Sequence, residues 1–521
     1  MSGTDTENDA ASGILIVGAG PTGLTLAAGL LRRDVPVRIV DRAERANPHS
    51  KAIILWPRGL EVFARLGVED EIRRRAVPIM AANYHAGGSR VCRVNFRGLR
   101  GSRFDGPLSL PQNETEDVLE DLVDRLGGTV DRGCGFVSAT QDDQRVMTAL
   151  TSGEIHTSRW LVGCDGYRSA VRETCGISFD GEPYPQRFAL VDGMWSTSLA
   201  IDESHYFMGD SGVLVVVGLP GDRMRVFVSL PAGTGAAGTD DLVPLVQQIA
   251  RERCPAALDL VESTGNGVFT VSRRMARSFA QGRILLAGDA AHVHSPAGGQ
   301  GLNTSVQDAH EVAWRLAEIH HGSLDASALA SWESERMHVA RIVVADTDRQ
   351  TRLWSQRGWR RRLRDALARS ADRSGLLDRY LPGRLAQLDL DYPTPNVGLG
   401  RVAPGRRLPD LEVAPGVRAH DLLRDGGTVA LLCSDRSQQP GPDLVAACRD
   451  VRARIIPVRS GSRWTVRRPL GLRRPALLLV RPDGVVAAAG TLRDRALSGR
   501  IRAALPGPGA RRDPAPFRDQ A

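Results

Sequence analysis

Lysine is almost missing from this chain: of 68 basic residues, Lys51 alone is not arginine. The arginines are scattered rather than gathered in one stripe, so the net charge of +8 marks no nucleic-acid face. No helix-turn-helix, RNA-recognition or zinc pattern accompanies it, and no nucleic-acid partner is expected. Cysteine is sparse: seven residues, with no C-x-x-C and no regular framework. That argues against a disulfide scaffold and fits free thiols in a reducing cytoplasm, the expected location. No apolar run reaches the length of a bilayer span, and the polar, acidic stretch 1–12 does not read as a secretory signal, so no membrane partner is expected. There is no internal repeat. His292 and His294 lie two residues apart with no third partner nearby, so no metal site is expected.

What is present is ordinary globular material. The chain has 521 residues, 42% hydrophobic and 25% charged, enough for two to four domains. The apolar run 14–17, the helical stretch 21–33 and the apolar run 35–40 form one βαβ opening. Helices are expected over 57–66, 114–126 and 302–319, and strands over 159–162 and 283–287. From 183 to 270 the texture is strands and turns, including 212–218 and 224–230. An arginine-rich helical stretch follows over 354–384, then a linker marked by Pro393, Pro395 and Pro404. Two further strands, 428–433 and 476–480, suggest a small closing α/β domain. The ends, 1–11 and the Pro-, Gly- and Arg-rich 506–521, are expected to be disordered.

The chemistry begins at Gly18-Ala-Gly20-Pro21-Thr-Gly23, between a strand and a helix. Gly18 permits a tight turn, Gly20 lets backbone approach a pyrophosphate, and Gly23 allows helix and strand to pack closely. The helix N-terminus favours the phosphate charge, and Asp41, with Arg42 beside it, stands where a ribose hydroxyl is bound. This pattern binds a dinucleotide without separating FAD from NAD. The later run Gly288-Asp289-Ala-Ala-His-Val-His-Ser-Pro296-Ala-Gly298-Gly299-Gln-Gly301-Leu302-Asn303 points to a flavin. A carboxylate at a strand end can accept from a sugar-alcohol chain. Free backbone N–H groups at a helix start can stabilise the negative charge of a reduced flavin ring.

That run closely resembles the second FAD motif of the single-component flavin monooxygenases of para-hydroxybenzoate hydroxylase type. The resemblance covers about residues 12 to 390 in motif order. It implies that Asp289 binds the ribityl chain and that Pro296 lies near the isoalloxazine ring. Cys164-Asp165-Gly166-Tyr-Arg168-Ser is similar to the family's Asp-Gly motif, which supports FAD and pyridine nucleotide around their pyrophosphates. Leu110-Pro-Gln112 is similar to the family's FAD-contacting glutamine. Lys51 stands where an arginine often faces the cofactor. A lysine there offers a point charge rather than a bidentate fork, and a plain surface charge is the alternative reading. The stretch from about Pro395 to Leu505 resembles the thioredoxin-like C-terminal domain of phenol, polyketide and rifampicin-type hydroxylases. Without a C-x-x-C, a packing or oligomer role is expected of it rather than redox.

The fold class implied is mixed α/β and α+β. A Rossmann-like FAD-binding domain (12–178 and 271–392) is joined to a sheet-based substrate domain (179–270, with part of 79–108) and the thioredoxin-like domain (398–505). The activity implied is hydroxylation of an aromatic or polyketide-like small molecule, with NADPH or NADH and dioxygen as co-substrates, through a C4a-hydroperoxyflavin. Baeyer–Villiger oxygenation, epoxidation or dehydrogenation without oxygen transfer are the alternatives. His205 and Tyr206 are base candidates by location, with a core role as the other reading of each. A monomer or homodimer is expected.

Overall fold

In the computed structural model the described residues are 13–48, 51–231, 239–394, 402–434, 438–458, 466–467 and 469–507. Of the ends expected to be disordered, all but 506 and 507 lie outside them, as does Pro395 of the expected linker. The chain divides into two compact units, Met1–Ala313 with Glu333–Tyr392, and Trp314–Trp332 with Pro393–Ala521.

Two large sheets organise the first unit. One has six strands in the order Ala280–Gln281, Ile284–Leu286, Trp160–Gly163, Ile14–Val17, Val37–Asp41 and Val130–Arg132. All neighbouring pairs are parallel except the edge pair of 280–281 with 284–286. The continuous apolar run Ile14–Val17 is at home there, because a central parallel strand is covered on both faces and all four residues are buried. The helix that follows, Pro21–Leu31, starts with proline in its first turn and is buried on nearly every side. It stops two residues short of the expected 33. The second strand starts at Val37 and runs on to Asp41, placing that carboxylate at the strand's C-terminal end.

The other sheet has eight strands in the order His292–Val293, Leu258–Ala276, Phe179–Thr197, Arg223–Ser229, Gly212–Leu219, Glu203–Gly209, Ala81–Ala86 and Ser89–Asn95. Its period-two patterning gives two different faces. Phe207, Leu214, Val216, Val226 and Val228 pack on the helix Thr239–Arg253 through Leu242, Val246 and Ile249. Phe188, Met208, Val213, Val215 and Val217 form the opposite face, with Tyr206, Phe227 and Phe269 beside Ile53 and Trp56. The helix Thr239–Arg253 was not expected from sequence, since Pro244 interrupts its pattern. The helix Ala328–Trp354 and the three-stranded sheet of Phe136–Gln141, Val146–Leu150 and Ile155–Ser158 were not expected either. The arginine-rich stretch forms two helices, Gly358–Arg373 and Leu376–Leu385.

The second unit has a four-stranded sheet, Arg454–Pro457, Val429–Cys433, Ala476–Val480 and Val486–Thr491, parallel in its first pair and antiparallel in the others. With the helices Pro442–Asp450 and Leu497–Ala504 this is a thioredoxin-like arrangement. Two of its strands escape sequence reading: Arg454–Pro457 is only partly buried, and Val486–Thr491 is mostly alanine and glycine. Among the described residues no helix is long and apolar enough to cross a membrane.

Candidate functional site

The first glycine turn is built by backbone packing. Gly18 has φ +104°, and a Cβ there would stand 2.5 Å from the Cys164 carbonyl oxygen. A Cβ on Gly23 would meet the Gly18 carbonyl oxygen at 1.9 Å, so strand, turn and helix close only with glycine at both positions. Gly20 differs. It is the N-cap of the Pro21–Leu31 helix with no side-chain cap, and its Cβ position is open apart from Glu116 Oε1 at 4.0 Å. An uncapped helix start facing open space is the physical description of an anion cradle. Asp41 borders it. Its Oδ2 accepts from the Ala19 N–H (2.7 Å) and its Oδ1 from the Ala43 N–H (2.8 Å), while Arg42 is exposed.

The Asp-Gly segment abuts the same turn, since the Gly18 Cβ position also lies 2.9 Å from the Asp165 Cα. Asp165 Oδ2 accepts from the Val171 N–H at 3.2 Å, whereas its Oδ1 is buried without a hydrogen-bond partner. Burial holds this carboxyl above the usual carboxylate range. Gly166 has φ +78°, and Arg168 is exposed. Arg172, which sequence reading passed over, donates to the Ala290 and Tyr167 carbonyls (2.9 and 3.1 Å) and ties this loop to the next motif.

Gly288 (φ +63°) packs its Cα against Thr22, where a Cβ would lie 2.5 Å from the hydroxyl oxygen. Asp289 keeps an exposed side at the strand end, yet protein crowds around its carboxyl and raises it above the ordinary range. Desolvation by the surrounding protein is the main cause, opposed by His292 and Lys51, which places the Lys51 charge within electrostatic reach. Beneath the turn lies a buried network. Asp308 accepts from the Gly288 N–H (3.2 Å), from His292 Nε2 (2.6 Å) and from Arg336 Nε (2.6 Å). Arg336 also donates to the Tyr392 hydroxyl, which donates to Glu311. Burial alone would raise the Asp308 pKa, but Arg336 and His292 outweigh it and hold the carboxylate low. His292 is thereby a structural donor. Burial lowers His294 to about 4, and its Nδ1 faces the Ser295 carbonyl. Among the described residues no group of three or more His, Cys, Asp or Glu could hold a metal.

Residues 51–56 strap these parts together. The Ala52 carbonyl accepts from the Gln112 N–H (2.9 Å), and the Ile53 carbonyl from the Leu110 N–H (2.8 Å). Gln112 opens the helix Gln112–Arg125, two residues earlier than expected. Asn303 Nδ2 donates to the Ile54 carbonyl (2.8 Å) while its Oδ1 accepts from the Trp56 N–H (2.7 Å). The Trp56 indole donates to the Gly298 carbonyl (2.7 Å). Gly298 and Gly299 take φ +78° and +62°, and a Cβ on Gly299 would stand 2.8 Å from that of Ile54. Pro296 is exposed just before them, and Gly301 and Leu302 open the helix Gly301–His320. On the sheet side, Arg225 forms a bidentate pair with Asp192 (2.7 and 2.6 Å) and donates to the Lys51 carbonyl (2.6 Å).

Of the two base candidates, only Tyr206 joins the sheet face that carries this strap. It stacks on Tyr84 (4.8 Å between centroids) near Trp354. Burial pushes its hydroxyl up to about 12. His205 points to the opposite face, its Nε2 3.2 Å from the Ala200 carbonyl and its pKa lowered by burial. Phe188, Phe227 and Phe269 stack beside one another with centroids 5.0 to 6.1 Å apart, on the strap's side.

The residues fit FAD. The open cradle at Gly20, the partnerless buried Asp165 Oδ1, and the exposed Asp289 and Pro296 on an otherwise buried turn all leave room or bonding capacity for a dinucleotide and its ring.

Comparison with known proteins agrees. Residues 12–347 match the FAD binding domain family, and residues 401–507 match the family of aromatic-ring hydroxylase C-terminal domains. The 6-methylpretetramide 4-monooxygenase of Streptomyces rimosus is 32% identical over 92% of this chain and 90% of its own length. A rifampicin monooxygenase of Rhodococcus hoagii is 30% identical over 91% and 95%. Among solved structures, CabE, an aromatic hydroxylase from angucycline biosynthesis, superposes with a TM-score of 0.75 at 28% identity, covering 92% of this chain and 96% of that one.

Proposed function

The chain belongs to the FAD-dependent aromatic-ring monooxygenase family, and from that premise we propose that it hydroxylates an aromatic, polyketide-like small molecule with NADPH as reductant. The observation that carries this reading is the strap at residues 51–56, whose bonds reach the Gln112 helix, the Gly298 turn and, through Arg225, the aromatic sheet face. A ligand stacked on Phe188, Phe227 and Phe269 is thereby held against the turn that receives the flavin. Polyketide and rifampicin monooxygenases among the relatives support the substrate class.

When bound, FAD supplies the reduction of dioxygen and the transfer of one oxygen atom. The protein's part is binding, orientation and electrostatics. Gly18, Gly20, Pro21 and Gly23 cradle the diphosphate, with Asp41 and Arg42 at the adenosine end. Asp165, Gly166, Arg168, Lys51 and Gln112 border the remainder. Asp289 accepts from the ribityl hydroxyls, and the N–H groups around Gly298, Gly299 and Gly301 favour negative charge on the ring edge. Pro296, Leu302 and Asn303 shape and fix that turn. The apolar sheet face excludes water from the ligand. With its hydroxyl near 12, Tyr206 keeps its proton at neutral pH and serves as a hydrogen-bond donor rather than a base.

The test is substrate-stimulated NADPH oxidation under labelled dioxygen across a panel of phenols and polycyclic aromatic polyketides. The expected product carries one labelled oxygen on an aromatic carbon, and NADPH outperforms NADH. Reductant-dependent turnover that leaves every product unlabelled would make the protein a flavin dehydrogenase instead.

A further inference from the structure

Glu116 is the fifth residue of the helix Gln112–Arg125 and is buried, 7% exposed, at the mouth of the Gly20 cradle. Its chemistry conflicts with that position. The side chain forms no ion pair among the described residues, and the neutral amide of Gln112 donates to its Oε1 at 2.8 Å. Asp41 approaches from the strand Val37–Asp41, and Asp117 is its neighbour on its own helix. Arg132, the cation that faces it from the strand Val130–Arg132, is engaged by Glu120 at 2.5 Å. An ionised Glu116 would therefore put a third negative group beside Asp41 and a bound diphosphate, with no cation of its own.

We propose that Glu116 joins the cofactor site as a neutral carboxylic acid and that FAD binding is coupled to its protonation. The inference rests on the flavin reading above. Gln112, held against Ala52, donates to Oε1 and leaves Oε2 to carry the proton. Desolvation already lifts this carboxyl to about 7, against the smaller opposing effects of Gln112 and Arg132. A diphosphate in the cradle raises it further, because a second anion penalises the charged form. The direction follows. Below about 7 the acid is neutral with or without FAD, and affinity is independent of pH. Above it, binding takes up a proton and affinity falls, by up to about tenfold per pH unit.

Holoprotein diluted at pH 6 to 8.5, with FAD release read by flavin fluorescence, tests this. The expected dissociation constant is flat to about pH 7 and rises about tenfold by pH 8.5, with calorimetry in two buffers showing proton uptake on rebinding. Glu116→Gln is expected to keep the affinity seen at pH 6 and to lose both the slope and the proton uptake. A flat wild-type profile, or a slope that survives in Glu116→Gln, overturns the coupling alone. Protein that holds no FAD at any pH overturns the flavin reading, and the coupling with it.

Discussion

At the scale of single residues, the site depends on buried charges that are individually costly and mutually satisfied. Asp308 is the central case, because it accepts from a glycine N–H, a histidine and an arginine, all out of water. Removing one partner of such a set costs about 3–5 kcal/mol, since the other charge stays buried and unpaired. Asp308→Asn is accordingly expected to lower unfolding free energy by about that amount, measured by urea denaturation, and to loosen the flavin turn through Gly288. The pH sign follows from the low native pKa. Asp308 contributes its stability above the unfolded carboxylate value near 4, and that stability is lost as pH falls through its lower native value. The variant should therefore show a shallower acid limb. Equal stability, or an unchanged acid limb, would show the network to be incidental.

Elements carry the next level, and the eight-stranded sheet shows how one strand serves two purposes. On Gly212–Leu219, Leu214 and Val216 point to the helix Thr239–Arg253, while Val213, Val215 and Val217 point to the aromatic face. Leu214→Ala is expected to cost about 2–5 kcal/mol of stability with little change in substrate KM. Phe227→Ala, on the other face, is expected to lower kcat/KM for an aromatic substrate by about ten- to hundredfold, the worth of about 1.5–3 kcal/mol of apolar contact. Its FAD content should stay near that of wild type. If the two variants show the reverse pattern, the ligand lies on the helix side of the sheet. Sequence pattern made the strand legible but not the assignment of its faces, which is how His205 came to be paired with Tyr206. Alternation says that neighbours point apart, and only the packed sheet says which side meets the strap.

For the molecule as a whole, legibility followed the range of the interactions involved. The Gly18–Gly23 turn, Asp41 and the Gly288–Asn303 run could be read because strand, turn and helix are contiguous in sequence and each glycine has a local steric reason. The same holds for Ala476–Val480, a continuous apolar run that is fully buried in the thioredoxin-like unit. Arg225, Asp192, Arg336 and Arg172 could not be read. In a chain where 67 of 68 basic residues are arginine, nothing in sequence separates a buried, bidentate arginine from an exposed one. The absence of a C-x-x-C was informative at this scale. Cys433 and Cys448 are buried free thiols, and burial pushes Cys433 up to about 12, which removes the thiolate that exchange chemistry needs.

The account stands on flavin binding by the first unit, and the most direct measurement is the visible spectrum of the purified protein, before and after denaturation, with the released cofactor identified and counted. The expected result is a flavin spectrum with about one FAD released per chain, and markedly less from Asp289→Ala. A colourless protein that takes up no added FAD, with Asp289→Ala indistinguishable from it, would contradict the reading of Gly288–Asn303 and the proposed oxygenation together.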